Sequence, residues 1–262
     1  MSDAAQLISY GPACDANTRP RGADTSGVER VKVGNVPYGQ PIYNCTINDV
    51  VALTFDDGPW EYTEYILNLL KRYDVKATFF VVGTNLDKGF INDPKKPWPA
   101  LLRRMVDEGH QIGSHTWSHQ NLTEITRDQL RNQMLFNEIA IADVLGFFPT
   151  YMRPPHSMSN NGINAFLGDL GYHITYFNLN TRGYENGTPE KVQMSKDLWD
   201  EGLERLYRRD GRSILQIEHD PLEQTAYSLM EHILKSIVDN NLTTVTAGEC
   251  LGDPQENWYR SL

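Results

Sequence analysis

Two adjacent carboxylates, Asp56 and Asp57, end the apolar run VVALTF and are followed at once by Gly58 and Pro59. Like charges side by side at the end of a buried strand cost free energy unless something uses them. Farther along, His115 and His119 stand at H-x-x-x-H spacing, which on a helical turn points both imidazoles the same way. Two imidazoles and one carboxylate make a tripod for a divalent metal, with positions left open for water and substrate. By itself the spacing is a weak signal, since a pair of surface or core histidines is commoner, and the aspartate pair at a strand end is what gives it weight. One carboxylate would ligate the metal, whose charge relieves the repulsion. The other would stay free, as a general base, beside a water that the metal acidifies. Arg153 is placed to hold that base ionised through charge-assisted hydrogen bonds, and His219 to protonate a leaving amine. The reaction class is metal-assisted hydrolysis of an amide or ester.

These residues need a frame that brings them together. Strand-like runs read VVALTF (50–55), ATFFVVG (77–83), HQIGS (110–114), TYMR (150–153), YHITYFN (172–178), SILQIE (213–218) and LTTVT (242–246). Between them EYTEYILNLLKRY, RDQLRNQMLFNEIAIADVLG and YSLMEHILKSIVDN place apolar residues at helical spacing. Strands alternating with helices predict an α/β fold with a mainly parallel sheet, open or closed into a barrel. Asp56 and Asp57, His115, Arg153 and His219 all then fall at the C-terminal ends of strands, the face where barrel chemistry sits. Residues 1–35, rich in Gly, Pro, Ser, Asp and Arg and without periodicity, read as an extended or partly disordered lead-in to one domain over 36–262. The long, proline-bearing TNLDKGFINDPKKPWPA (84–100) reads as a rim loop over a site or a plain insertion, with a helix beginning near Leu101.

The chain has 262 residues, 40% hydrophobic and 22% charged, with a formal net charge of −10. This is the composition of an ordinary globular protein, and the acidic balance argues against nucleic acid or an anionic membrane as partner. No apolar run approaches the ~18 residues of a membrane span, and the first residues show no secretory signal pattern. A bridge between Cys45 and Cys250 would tie the ends of a closed domain in an oxidising compartment, while two unpaired thiols fit a reduced one. Cys14 has no evident partner. Sequons at Asn44, Asn121, Asn186 and Asn241 tilt the balance toward a secreted or cell-wall glycoprotein.

In order along the chain, TFDDGP (54–59), HTWSH (115–119), RPPH (153–156) and IEHD (217–220) resemble the NodB-type polysaccharide deacetylases, carbohydrate esterase family 4. VPYGQPIYNCTINDVVALTFDDGPWEYT and TAGECLGDPQENW are similar to the fungal chitin deacetylase branch, and the resemblance runs from about Val36 to Trp258. It implies a deformed (β/α) barrel of seven to eight strands in a single domain. It makes Asp56 the base, oriented by Arg153, and His219 the acid, with Asp57, His115 and His119 holding one divalent metal, most often Zn2+ with Co2+ accepted. Ile217 stands beside the pocket for the acetyl methyl, Tyr184 and Pro154 belong to the substrate wall, and Cys45 and Cys250 match a disulfide. The substrate implied is chitin or chitooligosaccharides, taken by a monomer. Trp98 and Trp117 could stack on sugar rings, as aromatic faces suit pyranoses, although core packing accounts for Trp117 as well. His156 stands where Tyr or Phe is usual, and His110 reads as a buried, hydrogen-bonded histidine.

The chain departs from the family in NLNTRGYEN (178–186): Gly183 replaces a carboxylate that supports the acid histidine, and Asn180 an upstream acid. His219 should then be less readily protonated and its ring looser. An Asp restored at 183 would be expected to raise kcat. Glu218 and Asp220 are poor substitutes, since neighbours on a strand face opposite ways from His219. Against chitin N-deacetylation stand another acetylated polysaccharide such as peptidoglycan or xylan, and a chitin-binding protein with impaired catalysis. A glycosidase is disfavoured, because adjacent Asp56 and Asp57 do not face each other across a sugar.

Overall fold

The computed structural model describes residues 18–262, so Cys14 and the first 17 residues of the lead-in lie outside it. The segment VVALTFD forms the central strand, and all seven of its residues are buried, as a parallel strand covered on both faces requires. In chain order the strands are β1 (Pro41–Ile42), β2 (Val50–Asp56), β3 (Thr78–Val81), β4 (Gln111–Ser114), β5 (Phe147–Pro149) and β6 (Tyr151–Met152), then β7 (His173–Thr175), β8 (Leu179–Asn180), β9 (Ile214–His219), β10 (Thr243–Val245) and β11 (Tyr259–Ser261). A parallel sheet runs β1-β7-β6-β4-β3-β2-β9-β8, and β10 adds to the first half of β2. No pairing joins β1 to β8 among the described residues, so the curled sheet is a barrel left open on that side. This is the deformed barrel implied by the motifs, with a ninth short strand.

Alternate residues of β2 supply two cores. Val51, Leu53 and Phe55 pack against α1 (Thr63–Arg72) through Ile66 and Leu70, and the same cluster takes in α2 (Trp98–Asp107) through Leu102. Ala52 joins Phe80, Tyr151 and Leu215 and meets the C-terminal segment at Cys250 and Trp258. The longest helix, α3 (Arg127–Leu145), begins on a capping box between Thr126 and Gln129 and ends at Gly146, whose φ of 81° suits the residue that closes a helix. Helices α4 (Asn161–Asp169), α5 (Val192–Gly202), α6 (Met230–Asp239) and α7 (Ala247–Cys250) complete the layer.

Four expectations are revised. Residues 18–35 are pinned to the domain: Thr25 is fully buried and donates to Glu138, and Arg30 pairs with the same carboxylate at 2.7 Å. Residue 35 is therefore not a structural boundary. The run 172–178 breaks after Thr175, which frees the Tyr176 carbonyl from the sheet. The long loop ends earlier than expected, because Trp98 already lies in the first turn of α2. Asn186 is buried, with its amide donating to Ser195, so it does not present a glycan site, whereas Asn44 and Asn241 are exposed. Cys45 and Cys250 are bridged, which closes the choice that the sequence left open.

Candidate active site

Asp56 is the last residue of β2, and in the strand register it lies beside His219, the last residue of β9. Arg153 follows β6 and is wholly buried. Its guanidinium donates to Asp56 Oδ1 at 2.7 Å, to Thr54 Oγ1 at 2.7 Å, and to the carbonyls of Thr175 at 3.0 Å and Tyr176 at 2.8 Å. Its plane also lies against the ring of Phe80, 4.3 Å from the centroid. The break in the strand after Thr175 thus supplies carbonyl partners for an arginine that would otherwise be buried without enough acceptors. Burial draws the Arg153 pKa down, and the carboxylate of Asp56 opposes that.

Asp57 faces the other way. Its φ is 79°, a left-handed conformation uncommon outside glycine. Its Oδ1 lies 2.8 Å from His119 Nε2 and 3.4 Å from His115 Nε2, and the two Nε2 atoms are 3.1 Å apart. His115 Nδ1 sits 2.7 Å from the Arg153 carbonyl, which only an Nδ1–H can satisfy, so in the neutral ring the Nε2 lone pair faces the cluster. The three ligand atoms lie within 4.8 Å of one another. Two largely buried imidazole nitrogens and a carboxylate oxygen converge at the floor of a cleft, and a divalent metal fits this donor set. Burial raises Asp57, yet the two histidines outweigh it and hold the carboxyl well below its ordinary range. His115 in turn is raised, with Asp56 and Asp57 outweighing its burial.

HTWSH is not a helical turn, contrary to the expectation from its spacing. Left-handed backbone at Thr116 (φ 75°) and His119 (φ 56°) bends the chain so that both rings meet. The bend is held by the Ser118 amide on Gln133 and the His119 amide on Thr116 Oγ1.

The triad opens into a cleft of about 340 Å³ that Asp56 and His219 also line. Of the residues expected at substrate, Tyr184 and Ile217 line it. Trp117 does not: it is fully buried between Phe90 and Phe136, and its ring occupies the space where a Cβ on Gly83 would be. Pro154 is buried and stands outside the lining. Trp98 is also no platform, since its ring stacks on Trp60 and its indole N–H donates to the Lys88 carbonyl. His156, with φ 57°, lies edge-on to His119 with centroids 4.8 Å apart, and burial followed by the two ligand histidines pushes its pKa down to about 4. Phe177, Asn180 and Ser157 also line the cleft. They lie beside motif residues in irregular segments, where neither periodicity nor charge marks them. His110 is a buried histidine that accepts from the Ala77 amide, as read from the sequence.

His219 is half-buried, and its Nδ1 has no hydrogen-bond partner. The ring of Tyr184 stands edge-on to it at 5.4 Å, and the Tyr184 hydroxyl accepts from Asn180. Burial lowers the His219 pKa, with Asp57 and Asp56 opposing. Neither neighbouring acid supports it: Glu218 bonds to Thr181 and Gln216, and Asp220 accepts from Thr63. The space at Gly183 is bounded by Glu218, Thr225 and Leu229. A Cβ there would lie 2.9 Å from Glu218 Oε2 and 3.0 Å from Thr225 Oγ1. An Asp at 183 would therefore meet the Glu218 carboxylate first.

Residues 43–175 match the polysaccharide deacetylase family. The chain is 40% identical over 226 residues to a chitin deacetylase of Colletotrichum lindemuthianum, covering 86% of this chain and 89% of that one. It is 39% identical over 240 residues to a chitin deacetylase of a Pestalotiopsis species, covering 92% and 76%. The solved structure of the Colletotrichum lindemuthianum enzyme superposes with a TM-score of 0.80 over 86% of this chain and 97% of that one. In sequence and in fold, the chain belongs to the polysaccharide deacetylase family.

Proposed function

We propose that the protein hydrolyses N-acetyl groups from N-acetylglucosamine units of chitin or its oligomers, releasing acetate and leaving free amines. One observation carries the reading. The two adjacent aspartates are separated by their partners, Asp56 into the arginine clamp at 2.7 Å and Asp57 into the two-histidine cluster at 2.8 Å. Two chitin deacetylases among its relatives support the substrate class.

Asp57, His115 and His119 would hold one divalent metal, Zn2+ by preference for this nitrogen and oxygen donor set. Bound there, it polarises the amide carbonyl and makes a nearby water more acidic. Asp56 accepts a proton from the attacking water, and Arg153 keeps its carboxylate aimed. His219, next to Asp56 across the strand pair, delivers a proton to the leaving nitrogen. Tyr184 packs the ring of that histidine from the side, and Ile217 offers an apolar wall for the acetyl methyl.

The chain is proposed to act outside the cell. The Cys45–Cys250 bridge supports this, and among the described residues no helix is long and apolar enough to cross a membrane. Mass spectrometry of chitin oligomers incubated with Zn2+ or Co2+ tests the activity directly. Acetate loss is expected from wild type, and a decrease of ~10²–10⁴-fold from Asp56→Asn. A protein that takes up zinc and binds oligomers but releases no acetate over long incubation would refute the reading. Parallel incubations with peptidoglycan and acetylated xylan fix the polymer.

A further inference from the structure

Lys88 lies on the loop before α2, only 2% of its surface is exposed, and it is not part of the cleft lining. Burying an ammonium group is costly unless acceptors surround it. Here they come from one place: Nζ lies 3.5, 3.2 and 3.4 Å from the carbonyl oxygens of Asp57, Gly58 and Pro59. Asn85, three residues earlier on the same loop, donates to the Asp57 carbonyl at 3.0 Å, and the Val82 amide donates to that of Gly58 at 3.0 Å. On another side of the turn the carboxylate of Asp220, anchored by Thr63, fills the place where a Gly58 side chain would grow.

The turn needs this enclosure. Asp57 holds a left-handed conformation that is costly for a non-glycine residue, and such a conformation persists only where surrounding contacts over-determine it. That backbone conformation is also what directs the Asp57 side chain away from the arginine clamp and onto His115 and His119. A methionine would fill the volume of Lys88, so packing alone does not select a lysine at this position.

We infer that Lys88, assisted by Asn85, is a positioning residue for the metal site. It grips the carbonyls of the Asp57–Pro59 turn and so fixes the direction of the Asp57 carboxylate. The inference rests on the metal reading of the Asp57, His115 and His119 cluster. It makes a prediction opposite in sign to simple electrostatics. Removing a cation close to a metal site should tighten metal binding through space, whereas losing the grip on the turn should weaken it.

The test is zinc affinity, measured by competition with a chromophoric chelator on the full chain, with circular dichroism confirming the fold. Lys88→Met is expected to weaken zinc by about tenfold or more, and Asn85→Ala by a few-fold, the scale of losses when groups supporting a metal ligand are removed. Lys88→Met combined with Asp220→Asn leaves no unpaired charge behind, so it reads out the same loss if the single variant does not fold. Asn85 is only partly buried, and its variant is expected to fold in any case. Zinc bound as tightly as in wild type, or more tightly, by Asn85→Ala and by a folded Lys88 variant overturns the inference and leaves the metal reading intact. If folded wild type takes up no zinc, or if His119→Ala keeps wild-type affinity, the metal reading itself falls and the inference with it.

Discussion

Placing aspartate at position 183 tests the acid side of the site. From the motif alone, Gly183→Asp looks like a repair that supplies a missing partner to His219. The structure argues the reverse. The new Cβ would sit 2.9 Å from Glu218 Oε2 and 3.0 Å from Thr225 Oγ1, closer than real side chains tolerate. Glu218 is fully buried and already bonded to Gln216 and Thr181, so it has little room to withdraw. Overpacking of this kind costs about 1–3 kcal/mol. A second carboxyl beside a buried one must also stay neutral at pH 7, at about 1.4 kcal/mol for each unit its pKa is raised. We expect a total near 4 kcal/mol, which for a chain of this size lowers Tm by roughly 8–16 °C. Acetate release per folded molecule should be unchanged or lower. Thermal unfolding of wild type, Gly183→Ala and Gly183→Asp, followed by initial rates on chitin oligomers at 25 °C, separates steric from charge effects. Alanine should show the steric part alone. A Gly183→Asp protein with wild-type Tm and a raised kcat would show that the new carboxylate reaches His219, and the reasoning from Glu218 would be wrong.

Burial pushes Glu218 up to about 8 from 4.5, against the hydrogen bonds of Thr181 and Gln216. Its proton therefore stabilises the fold fully below about 4.5, and that stability is lost as pH rises through 8. Glu218→Gln should gain on wild type from pH 5 to about pH 8 and level off above, by on the order of 3–5 kcal/mol in all, and parallel Tm-against-pH curves would contradict this. Arg153→Lys keeps the charge but cannot reach Asp56 and the Thr175 and Tyr176 carbonyls together, so kcat should fall roughly 100-fold with little change in KM. Serine at both Cys45 and Cys250 should cost about 2–5 kcal/mol in urea unfolding. Activity at 25 °C should survive that change, because the bridge sits beside Ile214 at the start of β9, away from the strand ends that carry the cleft. Dialysis against a chelator should abolish acetate release, and restored activity on adding Zn2+ but not Mg2+ would support the nitrogen-rich donor set.

The parts legible in the sequence share a physical cause. Asp56, Asp57, His115, Arg153 and His219 interrupt apolar runs with groups that cannot be buried without partners, so their cost shows in one dimension. What stayed hidden depends on neighbours distant in sequence. Trp117 reads as either platform or core, and only Gly83, which leaves room for its ring, decides for the core. Trp98 is occupied by Trp60 and by the Lys88 carbonyl, neither of which periodicity reveals. H-x-x-x-H spacing places two histidines together correctly but for the wrong local reason, since a bend with left-handed residues brings them as close as a helix would. Lys88 gives no sign at all: a lone lysine in a polar loop reads as solvated. β5 and β11 pair although residues 150–258, 109 of them, lie between Pro149 and its partner Tyr259, and short strands so far apart carry no shared local pattern.

The strand end that looked like an electrostatic liability resolves into separate charge partnerships. Asp56 has the buried guanidinium of Arg153. Asp57 has two imidazoles and the place for a metal. Asp220, the third acid at the turn, has the hydroxyl of Thr63 and the field of Lys88. Each partner comes from a different part of the chain. That separation is what lets neighbouring residues on one strand do different work. A base must stay ionised yet free to accept a proton, and a ligand must stay ionised yet be committed to the metal. His219, the proposed acid, is held otherwise: the edge of Tyr184 lies against its ring and its Nδ1 has no hydrogen-bond partner. With burial lowering its pKa, the imidazolium of His219 is a readier proton donor but a scarcer one.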